Sequence, residues 1–148
     1  MYFRKTFKFV FVALIALAFV ANAQCKDNPL KNILTLIGES NFIKDYKVVL
    51  GRDETSSQQA LLTRGVKYKV YVHSEDEAKA RLVCNIESAG RLIASSYDPK
   101  TNKFYQELEF VCMKTGMYDF KFNYFKGFAG CGMVVLAIAK PNVALKPN

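Results

Sequence analysis

The chain has 148 residues, 51% of them hydrophobic and 14% aromatic, with 12 Phe and 8 Tyr but no Trp. Its formal charge is +8; Arg4, Lys5 and Lys8 fall in an N-terminal leader, which leaves +5 for the rest. These figures exclude a collagen, a coiled coil, a disordered chain, a multi-pass membrane protein and a large multidomain enzyme.

Residues 1–23 have the layout of a cleaved export signal. A basic stretch precedes an apolar run from Phe9 to Val20, and Ala21-Asn22-Ala23 places small residues at the −3 and −1 positions. The run falls short of the ~20 residues that span a bilayer. Cys25 follows the site, but a lipobox needs a small residue directly before its cysteine, and Gln24 stands there. The expected organisation is a signal peptide over 1–23 and a single domain over 24–148. That domain would be periplasmic or extracellular, with no stable membrane insertion after cleavage.

Cys25, Cys84, Cys112 and Cys131 all lie beyond the cleavage site and are the candidate disulfide cysteines. Four cysteines allow two bridges in three connectivities. Their spacings of 59, 28 and 19 residues contain no C-x-x-C, so zinc and thioredoxin-type readings have little support. In a simple meander, Cys112 and Cys131 would sit at opposite ends of one strand, ~20 Å apart and unable to bond. A Greek-key crossover would change that, and the connectivity stays open.

In chain order, Asn28-Pro29-Leu30 opens a short helix, with Leu30, Ile33, Leu34 and Ile37 at helical spacing and Gly38 to end it. The period then changes to two. Strands are predicted at Tyr46–Leu50, Gln58–Leu62, Lys67–His73, Arg81–Ile86, Arg91–Ser95, Phe104–Met113, Met117–Phe125 and Cys131–Ala139. Turn formers separate them, among them Thr63-Arg64-Gly65, Ala89-Gly90 and the Asp98–Asn102 run. Tyr118, Phe120, Phe122 and Tyr124 share an inward face. The almost wholly apolar Cys131–Ala139 reads as a central strand covered on both sides. Lys114-Thr115-Gly116 reads as a three-residue hairpin loop with Gly116 left-handed, which would set Met113 opposite Met117, Cys112 opposite Tyr118, Phe110 opposite Phe120 and Glu109 opposite Lys121. About eight short strands with one N-terminal helix point to an all-β, antiparallel, jelly-roll-like sandwich.

Candidate chemistry is sparse. His73, the only histidine, ends a strand beside acidic residues and reads as a surface side chain rather than a triad base. Glu107 and Glu109 share one strand face and read as a solvated, charge-paired face. Asp53-Glu54, Glu75-Asp76-Glu77 and Asp98–Asn102 read as solvated turns rather than calcium loops. No phosphate loop, nucleophile elbow or zincin motif occurs. The basic residues are scattered among the strands with no RNP-like pattern, so nucleic acid is not an expected partner. Tyr71, Tyr97, Tyr105, Phe125 and Phe128 remain as a candidate ligand face for a sugar or peptide.

Leu62–Tyr68 followed by an alternating strand, then Phe110–Tyr118, then Gly130–Val134, resemble a group of small uncharacterised exported proteins of Bacteroidota. The strand–T-G-x-Y–strand element at Thr115–Tyr118 also resembles bacterial pre-peptidase C-terminal domains. The resemblance spans roughly residues 45–140. It implies a jelly-roll-like sandwich with a non-catalytic role, and carries over no active-site residue and no calcium ligand set.

The sequence therefore predicts an exported, non-catalytic binding or interaction protein of the bacterial envelope or secretome, without cofactor or metal. Its partner would be an envelope or secreted protein, or a glycan. A carbohydrate-binding module is the main alternative. A small hydrolase using His73 or the Glu107/Glu109 pair is the least supported.

Overall fold

The computed structural model describes Cys25, residues 33–35, Ile37, Gly38 and residues 40–140; the expected leader and polar tail lie outside these residues. Ten strands follow in order: β1 (Asn41–Leu50), β2 (Thr55–Leu62), β3 (Lys67–Ser74), β4 (Leu82–Ser88), β5 (Arg91–Ser95), β6 (Tyr97–Asp98), β7 (Lys103–Phe104), β8 (Glu107–Val111), β9 (Gly116–Tyr124) and β10 (Gly130–Ile138). One sheet has the order β1-β10-β3-β8 and the other β2-β9-β4-β5, while β6 and β7 form a small ribbon of their own. All pairings are antiparallel, and they nest: β1 with β10, β2 with β9, β3 with β8, β4 with β5. This is a long hairpin rolled into a two-sheet jelly roll. At its closed end Ala89 and Gly90 both have positive φ, +48° and +74°, as a type I′ hairpin turn requires.

Alternation drives the roll. Tyr46, Val48, Tyr68, Val70, Cys84, Ile86, Phe120, Phe122, Val134 and Leu136 all carry even numbers and all lie in one buried cluster between the sheets. The Tyr46 ring meets Phe120 and Phe122 across that interface, at 5.6 and 5.7 Å between centroids. Removing such a side chain from water contributes roughly 1.5–3 kcal/mol. β10 is buried on its other face as well, as its apolar run foretold. There Met133, Val135 and Ala137 join Tyr71 and the helical residues Ile33 and Ile37 in a second cluster. Gly38, at φ +56°, closes that helical turn, and Leu34 points outward, 47% exposed. A disulfide joins Cys25 to Cys131, at the start of β10.

Three expectations are corrected. Phe104–Met113 is not one strand, because the chain breaks between β7 and β8. Lys114-Thr115-Gly116 does not close a hairpin: β8 pairs with β3 and β9 with β2 and β4, so this segment crosses from one sheet to the other. Gly116 accordingly lies in β9 and is not among the left-handed glycines. The even-number rule that suggested the hairpin holds equally for two strands that face each other across a core. Cys112 does meet Tyr118, Sγ to Oη 3.4 Å, but between sheets rather than along one. Glu109 consequently pairs with Lys67 and Lys69, and Lys121 with Glu87 at 2.6 Å. Third, Cys84 and Cys112 are free buried thiols, so one of the two possible bridges forms. Cys84 points into the core from β4, and the Cys112 thiol donates to the Lys114 carbonyl at 3.2 Å.

Gly132 sits on β10 directly beside Ser74 of the neighbouring β3. A Cβ there would lie 2.5 Å from the His73 carbonyl oxygen and 2.9 Å from Leu82 Cδ2. Since the first obstacle is backbone, Gly132→Ala is expected to lower stability by ~1–3 kcal/mol in urea unfolding. An unchanged midpoint would show that β3 and β10 can separate freely.

The core also makes the fold sensitive to alkali. Burial pushes the Cys84 thiol from 9.0 up to about 12. Burial likewise raises Tyr124, whose hydroxyl donates to the Val48 carbonyl at 3.1 Å, and Tyr46, whose buried hydroxyl has no hydrogen-bond partner. In the unfolded chain these groups lose their protons at ordinary pH values while the folded protein holds them. The folded state then binds more protons, so stability falls as pH rises above about 9 for the thiol and above about 10 for the tyrosines, by at most ~1.4 kcal/mol per pH unit for each group. Urea midpoints are expected to drop between pH 8.5 and 10.5, and Cys84→Ala to flatten part of that slope. A level profile would contradict the assignment.

Candidate functional site

Three connections converge at one end of the roll: residues 75–81 between β3 and β4, residues 96–106 between β5 and β8, and residues 125–129 between β9 and β10. Their conformations are set locally. Asp98 accepts from the Lys100 amide at 2.9 Å and the Thr101 hydroxyl at 2.7 Å, bonds that hold its carboxyl below the usual carboxylate range, the Thr101 bond contributing most. This turn folds the chain back so that Tyr97 pairs with Phe104. Ser96, 1% exposed, anchors the segment to β4: its hydroxyl accepts from the Cys84 amide and its own amide donates to the Cys84 carbonyl.

An aromatic cluster results. Ring centroids of Tyr97 and Phe104 are 4.7 Å apart, those of Tyr97 and Phe125 4.9 Å, and those of Phe104 and Phe125 5.1 Å with planes at 87°. The Arg81 guanidinium lies 4.7 Å from the Phe104 centroid and the Lys126 ammonium 5.5 Å from that of Phe125. Arg81 Nε donates to the Glu77 carbonyl at 3.4 Å, while Gln106 donates to the Glu77 carboxylate at 2.6 Å. Arg81 and Phe104 form a wall common to two cavities. The larger, about 430 Å³, continues to Tyr105, Gln106 and Glu107. The smaller, about 270 Å³, continues to Lys79, Phe125, Lys126 and Phe128. Tyr105 is 44% exposed and Phe128 51%.

Of the ligand-face candidates, Tyr97, Tyr105, Phe125 and Phe128 come together at this end. Tyr71 does not; it is buried beneath the N-terminal helical turn, with its hydroxyl 3.4 Å from Ser40 Oγ. Sequence reasoning missed Phe104, read as a strand start, and Arg81, read likewise. The signal available was the Asp98–Asn102 turn, which brings residues 97 and 104 together.

No protein-family model matches the chain, and no curated protein matches it in sequence. Solved structures do match in fold. Against PliG of Aeromonas hydrophila, a periplasmic inhibitor of g-type lysozyme, the TM-score is 0.53 at 11% identity, covering 67% of this chain and 88% of that one. Against the Yersinia pseudotuberculosis-derived mitogen the TM-score is 0.49 at 12% identity, over 69% and 90%. The first likeness agrees with the β-sandwich architecture derived above.

The other candidates lie apart from this groove or serve their own turns and ladders. His73, half-buried on β3, makes no side-chain hydrogen bond among the described residues. Glu107 bonds Lys69 at 2.7 Å, and Glu109, held below its ordinary range by the Lys67 bond, completes a ladder of alternating charge on the outer face of β3 and β8. Glu54 accepts from the Gly51 amide at 2.7 Å and Asp76 from the Lys79 amide at 3.2 Å, each serving its own turn. Cys25, Glu75 and Cys131 lie within 4.8 Å of one another, but both sulfurs are spent in the disulfide. Among the described residues no helix is long and apolar enough to cross a membrane.

Proposed function

We propose that this is an exported, non-catalytic protein of the cell envelope or secretome that takes a protein partner at the loop-end groove. The observation that carries this reading is the exposure of Tyr105 and Phe128 in two cavities sharing a fixed Arg81–Phe104 wall. Tyr, Phe and Arg held in place beside a concavity are the residue types that dominate protein interfaces. The export-signal pattern of residues 1–23 and the Cys25–Cys131 bridge fit an oxidising compartment.

A glycan is less well served. Sugar rings stack on free aromatic faces, yet Tyr97, Phe104 and Phe125 use theirs on one another and on Arg81 and Lys126.

The test is cross-linking of the processed protein to envelope and secreted proteins, with peptide-level mapping of the contact. Because the fold neighbour inhibits g-type lysozyme, that enzyme belongs in the panel and its inhibition is assayed separately. Cross-links are expected to map to residues 75–81, 96–106 and 125–129. A Tyr105→Ala, Phe128→Ala double variant should bind the captured partner at least ~30-fold more weakly. Contacts mapping elsewhere, or glycan-array binding that the double variant abolishes, would overturn the proposal.

A further inference from the structure

We infer that Arg81 and Lys126 form a carboxylate receptor in the smaller cavity, so that the partner segment presents an acidic residue beside an apolar one; this rests on the groove being the binding site. Arg81 lies over Phe104, its guanidinium carbon 4.7 Å from the ring centroid, and its Nε donates to the Glu77 carbonyl at 3.4 Å. No carboxylate lies within ion-pair distance of Arg81 or Lys126 among the described residues, whereas Lys79 is paired with Asp76 at 3.3 Å. A guanidinium already anchored by a ring contact and a hydrogen bond has less rotamer entropy left to lose when its planar donors take a carboxylate.

Lys126 adds an independent sign. Its φ is +57°, in the left-handed region, costing on the order of 1–2 kcal/mol for a residue with a side chain. That backbone persists because the turn is pinned: the Asp53 amide donates to the Gly127 carbonyl at 2.9 Å. The turn carries its ammonium over Phe125 at the mouth of the cavity that Arg81 also lines.

Charge balance selects the smaller cavity. With Lys79 paired to Asp76, Arg81 and Lys126 line it against the single carboxylate of Glu77, which already accepts from Gln106. In the larger one Glu107 is paired with Lys69, and Arg81 alone stands against Glu77. Phe128 supplies an exposed apolar wall beside the cations for the neighbouring side chain.

The test is a titration of the ¹⁵N-labelled processed chain with three probes: the blocked peptide Gly-Ser-Glu-Phe-Ser-Gly, its glutamine twin, and a heparin-derived hexasaccharide. The glutamate peptide is expected to shift the Arg81 Nε–H and the amides of 125–128, and to bind about tenfold tighter than the twin. That preference should shrink as salt rises. Arg81→Lys keeps the charge but loses the planar fork, and Lys126→Gly removes a charge while relieving the backbone. Each should bring the preference to about twofold or less, with unfolding midpoints confirming that both variants fold. Equal binding of the two peptides at these amides overturns the receptor and leaves the groove as a protein site. Tighter hexasaccharide binding there overturns both readings in favour of a glycan. Shifts confined to other residues, or none with any probe, overturn the receptor, and the cross-link map then decides the groove by itself.

Discussion

Replacing Phe120 with alanine is expected to destabilise the fold by about 3–5 kcal/mol, a large share of the ~5–15 kcal/mol available to a domain. Phe120 is 0% exposed, at the middle of β9, flanked along the sheet by Gln58 of β2 and Ile86 of β4. Across the core its ring meets Tyr46 of the opposite sheet. Truncation leaves a void bounded by two sheets, each fixed by its own ladders, so little collapse can fill it. Guanidinium unfolding measures the loss. Met117→Ser, on the outward face of the same strand and 52% exposed, serves as the contrast and should change stability by no more than ~0.5 kcal/mol. A loss below ~1.5 kcal/mol at Phe120 would mean that the sheets do not meet face to face at this point.

Removing the Cys25–Cys131 bridge is the second large effect. The bond links residues 106 apart in sequence and fastens the N-terminal segment to β10. Closing so long a loop limits the unfolded ensemble, and the Cys25→Ser, Cys131→Ser variant is expected to lose about 2–5 kcal/mol. The loss has a location. Ile33 and Ile37 cover Tyr71, Met133, Val135 and Ala137. Hydrogen exchange in the variant should therefore quicken first at residues 33–37 and on β10, before β9 or β4 responds. Uniform acceleration across both sheets would show that the bridge supports the whole roll rather than its helical cover.

Much of this architecture was legible in the chain. The two-residue rhythm of Tyr68-Val70-Val72, Leu82-Cys84-Ile86 and Tyr118-Phe120-Phe122-Tyr124 names the inward face of each strand, because side chains alternate across a sheet whatever its partners are. The unbroken apolar run of β10 announced cover on both sides, which the helical turn and the opposite sheet provide. Alternation does not say which strand lies beside which. Phe110 and Phe120 obey the same parity whether they are neighbours in one sheet or face each other from two, so the Lys114–Gly116 hairpin was a sound reading of the local signal and the wrong one. Likewise Tyr71 shares a strand face with Lys67 and Lys69 and read as exposed; only the covering helix removes it from solvent.

The binding groove divides in the same way. Tyr97, Tyr105, Phe125 and Phe128 stood out as aromatics that no core face claimed. Their assembly with Arg81 and Phe104 required three connections, far apart in sequence, to meet at one end of the roll. The sequence by itself determined the period, the inward faces and the turns, since these depend on neighbours a few residues away. Strand order, the single disulfide and the Arg81 wall belong to the tertiary structure, since each depends on which distant segments the nested pairing of β1 with β10, β2 with β9 and β3 with β8 brings together.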